Sequence, residues 1–303
     1  MKVVIGLFKL MRPRQWIKNV ILFAGVVFSE LFVIPQALLV ALAAFGVFCM
    51  LSGAVYSLND SVDAEKDRGH PEKRHRPVAS GVVPRSLGFV WSALLGLGGL
   101  YLAWIISPNF AVVGAVYLAL NLLYSFWAKG VVILDVFIIA VGFVLRAIAG
   151  VEALVELPYA PPGFAPSSWF LMVTLFLALF LALEKRRGEL AALKEDAAVH
   201  RKTLSKYSPR LLDQMSAVVT TATVISYSLY TMWPDTVARF GTNALIYTLP
   251  FVLFGIFRYL YDVDKKGLGD NPSAILSKDP YLLVTVLLWA AAVVLILYFK
   301  PQV

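Results

Sequence analysis

Residues 36–58 read QALLVALAAFGVFCMLSGAVYSL, an apolar run without a charged side chain. A helix rises about 1.5 Å per residue, so a run of this length crosses the hydrocarbon core of a bilayer, which is about 30 Å thick. The run lacks the alternation of polar and apolar residues that is typical of barrel strands. It therefore predicts a membrane-spanning helix.

Eight further segments are predominantly apolar and of similar length, which gives nine predicted spans. They are residues 16–34, 86–106, 110–128, 131–151, 168–184, 211–232, 243–261 and 281–299. The chain of 303 residues is 59% hydrophobic and 15% charged, whereas soluble domains average about 45–50% apolar and about 25% charged residues. The composition excludes a soluble globular protein and predicts an all-α polytopic membrane protein, with one transmembrane domain over residues 1–303.

The basic residues predict the orientation. If the N-terminus is cytoplasmic, all of the 27 Lys and Arg residues except Arg146, Arg239 and Lys300 lie on the inner side. Positive charge concentrates in cytoplasmic loops, so we expect a multi-pass protein of the plasma (inner) membrane with its C-terminus outside. This distribution explains the formal net charge of +8 without a nucleic acid partner. The inner segments that could hold an active site are 59–85, 129–135, 185–210 and 258–280.

Transition-metal chemistry has little support in the composition. The single cysteine, Cys49, excludes a disulfide framework and a Cys-rich zinc site. The three histidines, His70, His75 and His200, lie in loops without metal-ligand spacing.

An acidic motif begins the first inner segment. Asp60, Asp63 and Asp67 stand at positions i, i+3 and i+7, so a helix would align them on one face, with Asn59 on its flank. Mg²⁺ prefers carboxylate oxygens together with substrate phosphates. The alternative is an acidic helix end balanced by neighbouring Lys and Arg. The spacing and the position at the membrane surface favour a seat for a magnesium-bound diphosphate, with these four residues as ligands.

The start of the first span carries a second polar group. Arg14 and Lys18 are four residues apart, as are Gln15 and Asn19, so each pair would share one face of an α-helix. Interfacial anchoring around Trp16 is the alternative. Two basic and two amide side chains exceed what anchoring needs and favour ligand binding.

Asp135 and Arg146 lie inside the fifth predicted span, eleven residues apart and therefore on one stripe of a helix. Charged side chains within a span face the protein interior or a wet cavity. Asp135, near the inner end, is a candidate site residue. Arg146 lies about 16 Å deeper, and a structural role for it stays open.

The motif N-D-x-x-D-x-x-x-D at residues 59–67, followed by H-P-x-K-x-x-R-P-x-A-S-G at residues 70–81, resembles that of the UbiA superfamily of intramembrane prenyl-transferring enzymes. Four more stretches are similar to its decaprenyl-phosphate phosphoribosyltransferase branch. They are RPRQWIKN at 12–19, YSFWAK at 124–129, GFVLR at 142–146 and KRRGEL at 185–190. The likeness covers essentially the whole chain.

The resemblance implies nine helices around a central cavity that opens to the cytoplasm and laterally to the bilayer. It implies Mg²⁺-dependent transfer of 5-phosphoribosyl from phosphoribosyl diphosphate (PRPP) to a long polyprenyl phosphate, giving a lipid-linked sugar donor for cell-envelope polysaccharide. The implied catalytic residues are Asp60, Asp63, Asp67 and Asp135. The implied substrate-binding residues are Arg14, Lys18, Asn19, Asn59, Lys73, Arg76, Tyr124, Lys129, Lys185, Arg186 and Arg187. The oligomeric state, including a homo-oligomer, stays open.

One departure from the superfamily pattern separates the alternatives. Members that use a prenyl diphosphate carry a second Asp-rich motif between spans six and seven, whereas residues 184–189 here read EKRRGE. A basic patch can bind phosphate directly, which favours phosphoribosyl transfer over prenylation of an aromatic acceptor. The other interpretation of the patch is an ordinary run of basic residues that ends the sixth span at the membrane surface. A transporter would instead distribute polar residues through midplane helices.

Overall fold

The computed structural model describes residues 2–69, 73–160, 164–193, 204–266, 275 and 278–301, and the regular elements among them are helical. The α-helices are α1 (Lys2–Leu10), α2 (Phe23–Phe28), α3 (Pro35–Val62), α4 (Ala64–Arg68), α5 (Arg85–Ile106), α6 (Pro108–Phe126), α7 (Leu134–Glu152), α8 (Ser168–Leu193), α9 (Pro209–Met232), α10 (Pro234–Phe240), α11 (Leu249–Lys266) and α12 (Pro280–Phe299). Short 3₁₀ helices lie at Pro13–Leu22, Leu31–Val33, Lys73–His75, Ala128–Gly130, Leu204–Lys206 and Ala244–Thr248. His70, Pro71 and His200 lie outside the described residues.

Proline and polar caps set where several long helices begin. Proline is the first residue of α3, α6, α9 and α12, a position where its missing N–H costs nothing. The side chains of Ser107, Ser208 and Asp279 accept hydrogen bonds from the first turns of α6, α9 and α12. These caps satisfy backbone donors that have no partner within the helix.

Seven helical segments among the described residues are long and apolar enough to cross a membrane, and the protein is a multi-pass membrane protein. They are Pro35–Val62, Arg85–Ile106, Pro108–Phe126, Leu134–Glu152, Ser168–Ala191, Ala244–Lys265 and Pro280–Phe299. Each overlaps one of the predicted spans. The other two predicted spans, 16–34 and 211–232, differ from this pattern for separate physical reasons.

The predicted span 16–34 is an interrupted segment. It contains most of the 3₁₀ helix Pro13–Leu22, then α2, then a second short 3₁₀ helix. Glu30 has a φ of 60°, in the left-handed region that breaks a helix. Two changes of helix type and one left-handed residue therefore replace the single helix that the apolar composition predicts.

The predicted span 211–232 forms α9, which is long enough but too polar to count among the seven. Several of its hydroxyl side chains bond within the helix. Thr221, Thr223 and Ser228 each donate to the backbone carbonyl four residues earlier. This back-bonding satisfies these three hydroxyls and lets a Ser/Thr-rich helix pack inside a helical protein.

The chain forms two compact units. Unit 1 comprises Met1–Ala128 and Leu145–Ala165, and unit 2 comprises Lys129–Val144 and Pro166–Val303. A single transmembrane domain over the whole chain stays a prediction.

In unit 1, α3 packs against α5 and α6 around a core that includes Phe48, Leu51, Phe110 and Tyr117. A second contact depends on glycine. A Cβ at Gly25 would lie 2.3 Å from the carbonyl oxygen of Gly150, so the two backbones approach more closely than any other residue allows. Small residues let membrane helices approach in this way.

In unit 2, α8 packs against α9 around Leu179, Leu183 and Leu212. On another side, α8 contacts α11 through Phe180 and Tyr259, whose ring centroids are 5.3 Å apart. The C-terminal part of α8 carries the residues 184–189, so this packing fixes which neighbours each of those charged side chains meets.

Candidate active-site residues

The acidic motif lies where α3 ends. Asp63 separates α3 from α4, yet the backbone keeps helical hydrogen bonds across it. The N–H of Asp63 donates to the carbonyl of Asn59 at 2.9 Å, and the N–H of Asp67 donates to the carbonyl of Asp63 at 2.8 Å. Because the helical path continues through the junction, Asp60 and Asp67 stay on one side of it.

Arg76 joins the two carboxylates. Its Nη1 donates to Oδ1 of Asp60 at 3.1 Å and to Oδ2 of Asp67 at 2.7 Å. Arg12 also donates to Oδ1 of Asp60, and its guanidinium lies 4.9 Å from the ring centroid of Tyr56. Asp60 and Asp67 are buried, whereas both arginines are partly exposed. We call Arg12, Asp60, Asp67 and Arg76 the aspartate–arginine cluster.

The second oxygen of each buried carboxylate remains open. Oδ2 of Asp60 and Oδ1 of Asp67 take no hydrogen bond from any described residue. The described residues contain no group of three His, Cys, Asp or Glu side chains within reach of one metal ion. The assignment of Asn59, Asp60, Asp63 and Asp67 as ligands of one metal ion therefore stays a prediction. Two open carboxylate oxygens fit Mg²⁺, which takes one or two carboxylates and completes its shell with water and phosphate.

The N-terminal polar group has a different geometry from the predicted one. Arg14, Gln15, Lys18 and Asn19 lie on the 3₁₀ helix Pro13–Leu22, which has three residues per turn. Residues four apart are then rotated by roughly 120°, so the expectation that each pair shares one face is wrong. Proline at the start of the segment and Arg12 in the left-handed region, with a φ of 49°, accompany this tighter winding.

Lys18 and Arg14 make no hydrogen bond or ion pair with any described residue. Lys18 lies close enough to Arg12 and Arg146 to interact electrostatically with both. Three cations in one region of unit 1 favour an anionic ligand, and Lys18 is the member whose ammonium has no protein partner among the described residues.

Asn19 and Arg146 form a buried polar pair in unit 1. Nε of Arg146 donates to the side-chain oxygen of Asn19 at 2.8 Å, and Nη2 donates to the hydroxyl of Tyr117 at 2.7 Å. The Asn19 amide donates onward to the hydroxyl of Ser52 at 3.2 Å. Asn19 is 1% exposed and Arg146 is 5% exposed. These contacts answer the open question about Arg146, which joins the 3₁₀ helix to α3, α6 and α7.

Asp135 is the centre of a buried network in unit 2. Its Oδ2 accepts from Nε of Arg186 at 3.1 Å, and its Oδ1 accepts from the hydroxyl of Tyr207 at 2.8 Å. Arg186 also donates to Glu189 at 2.7 Å. Asp135 is 0% exposed and Arg186 is 1% exposed. Arg186 therefore serves as an internal ion-pair partner in this structure.

Tyr207 bonds to Asp135 and also stabilises a strained turn at Ile133. Its hydroxyl accepts from the backbone N–H of Ile133 at 2.7 Å, and Ile133 has a φ of 70°, a left-handed conformation rare for a β-branched residue. Burial, reinforced by the hydrogen bond to Asp135, raises the pKa of the Tyr207 hydroxyl to about 12. The phenol therefore stays protonated and keeps donating to Asp135 across the ordinary pH range.

Arg187 lies among three carboxylates. Its guanidinium is 2.9 Å from Asp213, 3.2 Å from Asp264 and 3.8 Å from Glu184. Lys185 lies 3.7 Å from Glu189. The stretch 184–189 therefore forms carboxylate-paired clusters, and its basic side chains do not stand alone as the linear sequence suggests.

The remaining predicted residues are partly exposed at helix ends. They are Asn59, Asp63, Lys73, Tyr124 and Lys129. The structure places each of them but does not test its role, so these assignments stay predictions.

Sequence reasoning missed Arg12, Glu189, Tyr207, Asp213 and Asp264. Arg12 had a signal, because it begins the stretch RPRQWIKN. Glu189 also had a signal, because it stands three residues after Arg186 and four after Lys185 on α8. Tyr207, Asp213 and Asp264 had none, since their partners are distant in the sequence.

These features define a class: a multi-pass, all-helical membrane protein with buried carboxylate–arginine clusters at the ends of its long helices. The model of the UbiA prenyltransferase family matches residues 19–278, and the chain belongs to that family.

Curated relatives cover nearly the whole chain. It is 35% identical to decaprenyl-phosphate phosphoribosyltransferase of Mycolicibacterium smegmatis, over 97% of this chain and 93% of that enzyme. It is 36% identical to the enzyme of the same name from Mycobacterium tuberculosis, over 96% of this chain and 93% of that enzyme. The family predicted from the sequence motifs is confirmed.

The fold is similar to that of a UbiA homolog from Archaeoglobus fulgidus, whose structure was solved bound to GPP and Mg²⁺. The TM-score is 0.70, with 19% identity, over 95% of this chain and 99% of the other. At this identity the likeness shows the fold alone.

Proposed function

We propose that this protein transfers 5-phosphoribosyl from PRPP to a long-chain polyprenyl phosphate and releases diphosphate. Two relatives with that substrate class in their names match at 35% and 36% identity over more than nine tenths of both chains. The proposed product is a lipid-linked pentose phosphate, a donor for cell-envelope polysaccharide.

The observation that carries the proposal is the pair of buried carboxylates in the aspartate–arginine cluster. Arg12 and Arg76 hold Asp60 and Asp67 from one side, and one oxygen of each carboxylate stays open. The arginines fix the orientation of the carboxylates and offset part of their mutual repulsion. Asp60 and Asp67 would hold Mg²⁺, which would supply charge neutralisation for the departing diphosphate.

The reaction needs no general base from the protein. The nucleophile is an oxygen of an ionised lipid phosphate, which forms a bond to ribose C1 while the bond from C1 to the diphosphate oxygen breaks. The protein's own contribution is to bind and orient anions. Lys18 and Arg14 have no ion-pair partner among the described residues, so they are the basic residues best placed to bind a phosphate. Positioning and electrostatic stabilisation then supply the catalysis.

The membrane arrangement is part of the proposal. We count nine crossings, with 16–34 and 211–232 added to the seven apolar helical segments. The N-terminus and the reaction lie on the cytoplasmic side of the plasma membrane, and the C-terminus lies outside, because the basic residues concentrate on the inner segments. A cavity open to the cytoplasm and laterally to the bilayer would admit a water-soluble and a lipid substrate.

The direct test uses the purified protein with Mg²⁺, polyprenyl phosphate and PRPP labelled on the 5-phosphate. We expect label to move into the lipid phase, to stop on EDTA addition and to return with excess Mg²⁺. A parallel reaction supplies a prenyl diphosphate with an aromatic acceptor. Label that stays aqueous while the prenyl group is transferred would replace the proposal by the aromatic prenyltransferase alternative.

The matched variants are Asp60→Asn and Asp235→Asn. Asp235 is an exposed residue of α10, so its change removes the same charge elsewhere. Replacing a residue that only hydrogen-bonds to a metal ligand lowers activity by about 10- to 100-fold. Asp60→Asn changes a proposed ligand itself, so it should lower turnover by at least about 100-fold. Equal activity of the two variants would contradict the assigned role of Asp60.

A further inference from the structure

A polar pocket lies in unit 2, apart from the Asp135 network. Its volume is about 370 Å³, and it opens between α8, α9 and α11. Its polar lining residues are Glu184, Arg187, Asp213, Ser216, Thr220 and Thr221. Ligand pockets begin at about 300 Å³, whereas one water takes about 30 Å³ of liquid volume. The pocket is therefore large enough for a small organic group.

Two buried polar atoms in this lining lack hydrogen-bond partners among the described residues. Glu184 is 1% exposed, and its Oε1 accepts from Ser216, whereas its Oε2 takes no hydrogen bond and lies 3.8 Å from Nη1 of Arg187. Thr220 Oγ1 is also buried without a partner. A buried polar atom left unpaired costs about 1–3 kcal/mol. A group that donates hydrogen bonds into the pocket would satisfy both oxygens.

The charges around the pocket favour a cation. Glu184, Asp213 and Asp264 surround the single guanidinium of Arg187, at 3.8, 2.9 and 3.2 Å respectively. Lys265 lies 3.3 Å from Asp264 and is mostly exposed. Three carboxylates therefore face two cations, Arg187 and Lys265, so the group carries a net negative charge and an anionic ligand would meet repulsion. The ligand that satisfies the pocket carries positive charge and N–H or O–H donors.

A metal ion is a poorer match than an ammonium group. The described residues offer no group of three His, Cys, Asp or Glu side chains that could hold a metal, and Asp213 is already paired with Arg187 at 2.9 Å. An ammonium group needs only acceptors for its three N–H donors. Oε2 of Glu184 and Oγ1 of Thr220 supply two of them within one pocket.

We propose that this pocket binds a primary ammonium group. The pocket lies near the C-terminal ends of α8 and α11, at the end of two membrane-spanning segments, where lipid headgroups are found. The ammonium could come from an ethanolamine phospholipid or from a free amine, and both present the same donors. The proposal does not rest on the phosphoribosyl transfer proposed above.

The test compares the two sources on the purified full chain. The first arm places the protein in nanodiscs of phosphatidylcholine containing a titrated fraction of phosphatidylethanolamine, and native mass spectrometry counts retained lipid. The second arm titrates ethanolamine into protein in pure phosphatidylcholine nanodiscs and follows the melting temperature. We expect retention of phosphatidylethanolamine in the first arm or a rise of the melting temperature in the second. The arm that responds identifies the source.

The decisive variant is Glu184→Gln, with Glu156→Gln as its matched control because Glu156 is exposed in unit 1. A charge-assisted hydrogen bond corresponds to about 10- to 100-fold in affinity, so Glu184→Gln should weaken amine binding by that factor while Glu156→Gln leaves it unchanged. Thr220→Val keeps every charge and nearly the same volume, and it should weaken binding several-fold. This second variant decides the question if Glu184→Gln does not fold.

Three results would overturn the proposal. The first is that neither amine source binds. The second is that Glu184→Gln and Thr220→Val both bind amines as wild type does. The third is that added Mg²⁺ or Mn²⁺ raises the melting temperature through Glu184 while amines have no effect, which would make the pocket a metal site.

Discussion

Removing the charge of Arg186 should destabilise the protein far more than removing the charge of its neighbour Lys185. Arg186 is 1% exposed and donates to Asp135 at 3.1 Å and to Glu189 at 2.7 Å. In Arg186→Gln, Asp135 keeps the Tyr207 hydroxyl but loses its cation. Breaking a buried ion pair by removing one partner costs about 3–5 kcal/mol.

The expected shift follows from the size of each unit. For a domain of 150–250 residues, about 1 kcal/mol corresponds to about 2–4 °C in melting temperature. Arg186→Gln should therefore lower the melting temperature by about 6–20 °C. Lys185 is partly exposed and lies 3.7 Å from Glu189, and exposed pairs contribute about 0–1 kcal/mol. Lys185→Gln should shift the melting temperature by no more than about 4 °C.

The assay is thermal unfolding of both variants in one detergent, followed by tryptophan fluorescence, with KM for PRPP measured in parallel. The double variant Asp135→Asn/Arg186→Gln should recover part of the loss, because it removes both buried charges together. If Arg186→Gln melts within a few degrees of Lys185→Gln and only raises KM, the buried ion pair is wrong and the phosphate-binding role predicted from the sequence is supported.

Three further predictions test other parts of the molecule. Lys18→Met should raise KM for PRPP or polyprenyl phosphate by about 10- to 100-fold, the equivalent of one charge-assisted hydrogen bond. The control Lys2→Met, at the N-terminal end of α1, should leave both KM values unchanged. Equal KM values in the two variants would exclude Lys18 as a phosphate ligand. Asp63→Ala should abolish transfer yet leave a protein that is folded by size-exclusion chromatography, since Asp63 is only partly buried. Near wild-type turnover of this variant across a magnesium titration would show that Asp63 is not an active-site residue. In the folded protein the pKa of Tyr207 is about 12, above its ordinary value of 10.0, so the contribution of its hydroxyl to the free energy of unfolding is complete below pH 10 and is lost as pH rises towards 12. The melting temperatures of wild type and Tyr207→Phe should therefore converge over that interval. A constant difference between them would contradict the buried phenol.

The membrane-embedded helical fold followed from local sequence alone. Burial of apolar side chains in a bilayer depends on runs of about 20 residues, so seven of the nine predicted spans coincide with long apolar helical segments. The two exceptions have local causes that hydropathy does not register. Residues 16–34 contain a left-handed Glu30 and a 3₁₀ segment, and α9 is rich in hydroxyl side chains that bond to their own helix.

The acidic motif could also be found from the sequence, because helical spacing alone places Asp60 and Asp67 on one side of their helix. What the motif contacts was decided by tertiary structure. Arg12 lies 48 residues from Asp60, and Arg76 lies 16 residues away. Spacing could not predict that these two guanidiniums would reach the same carboxylate oxygen.

The stretch 184–189 shows most clearly that the sequence predicts a motif but not the contacts of its side chains. Its sequence indicates an exposed basic patch, since three cations stand in a row. Helix packing buries Arg186 against Asp135 from α7 and surrounds Arg187 with Asp213 from α9 and Asp264 from α11. The sequence determined which helices cross the membrane, because hydrophobic transfer is summed along a local segment. Only the tertiary structure decided which charges are neutralised, because an ion pair depends on atoms that approach within about 4 Å from distant helices.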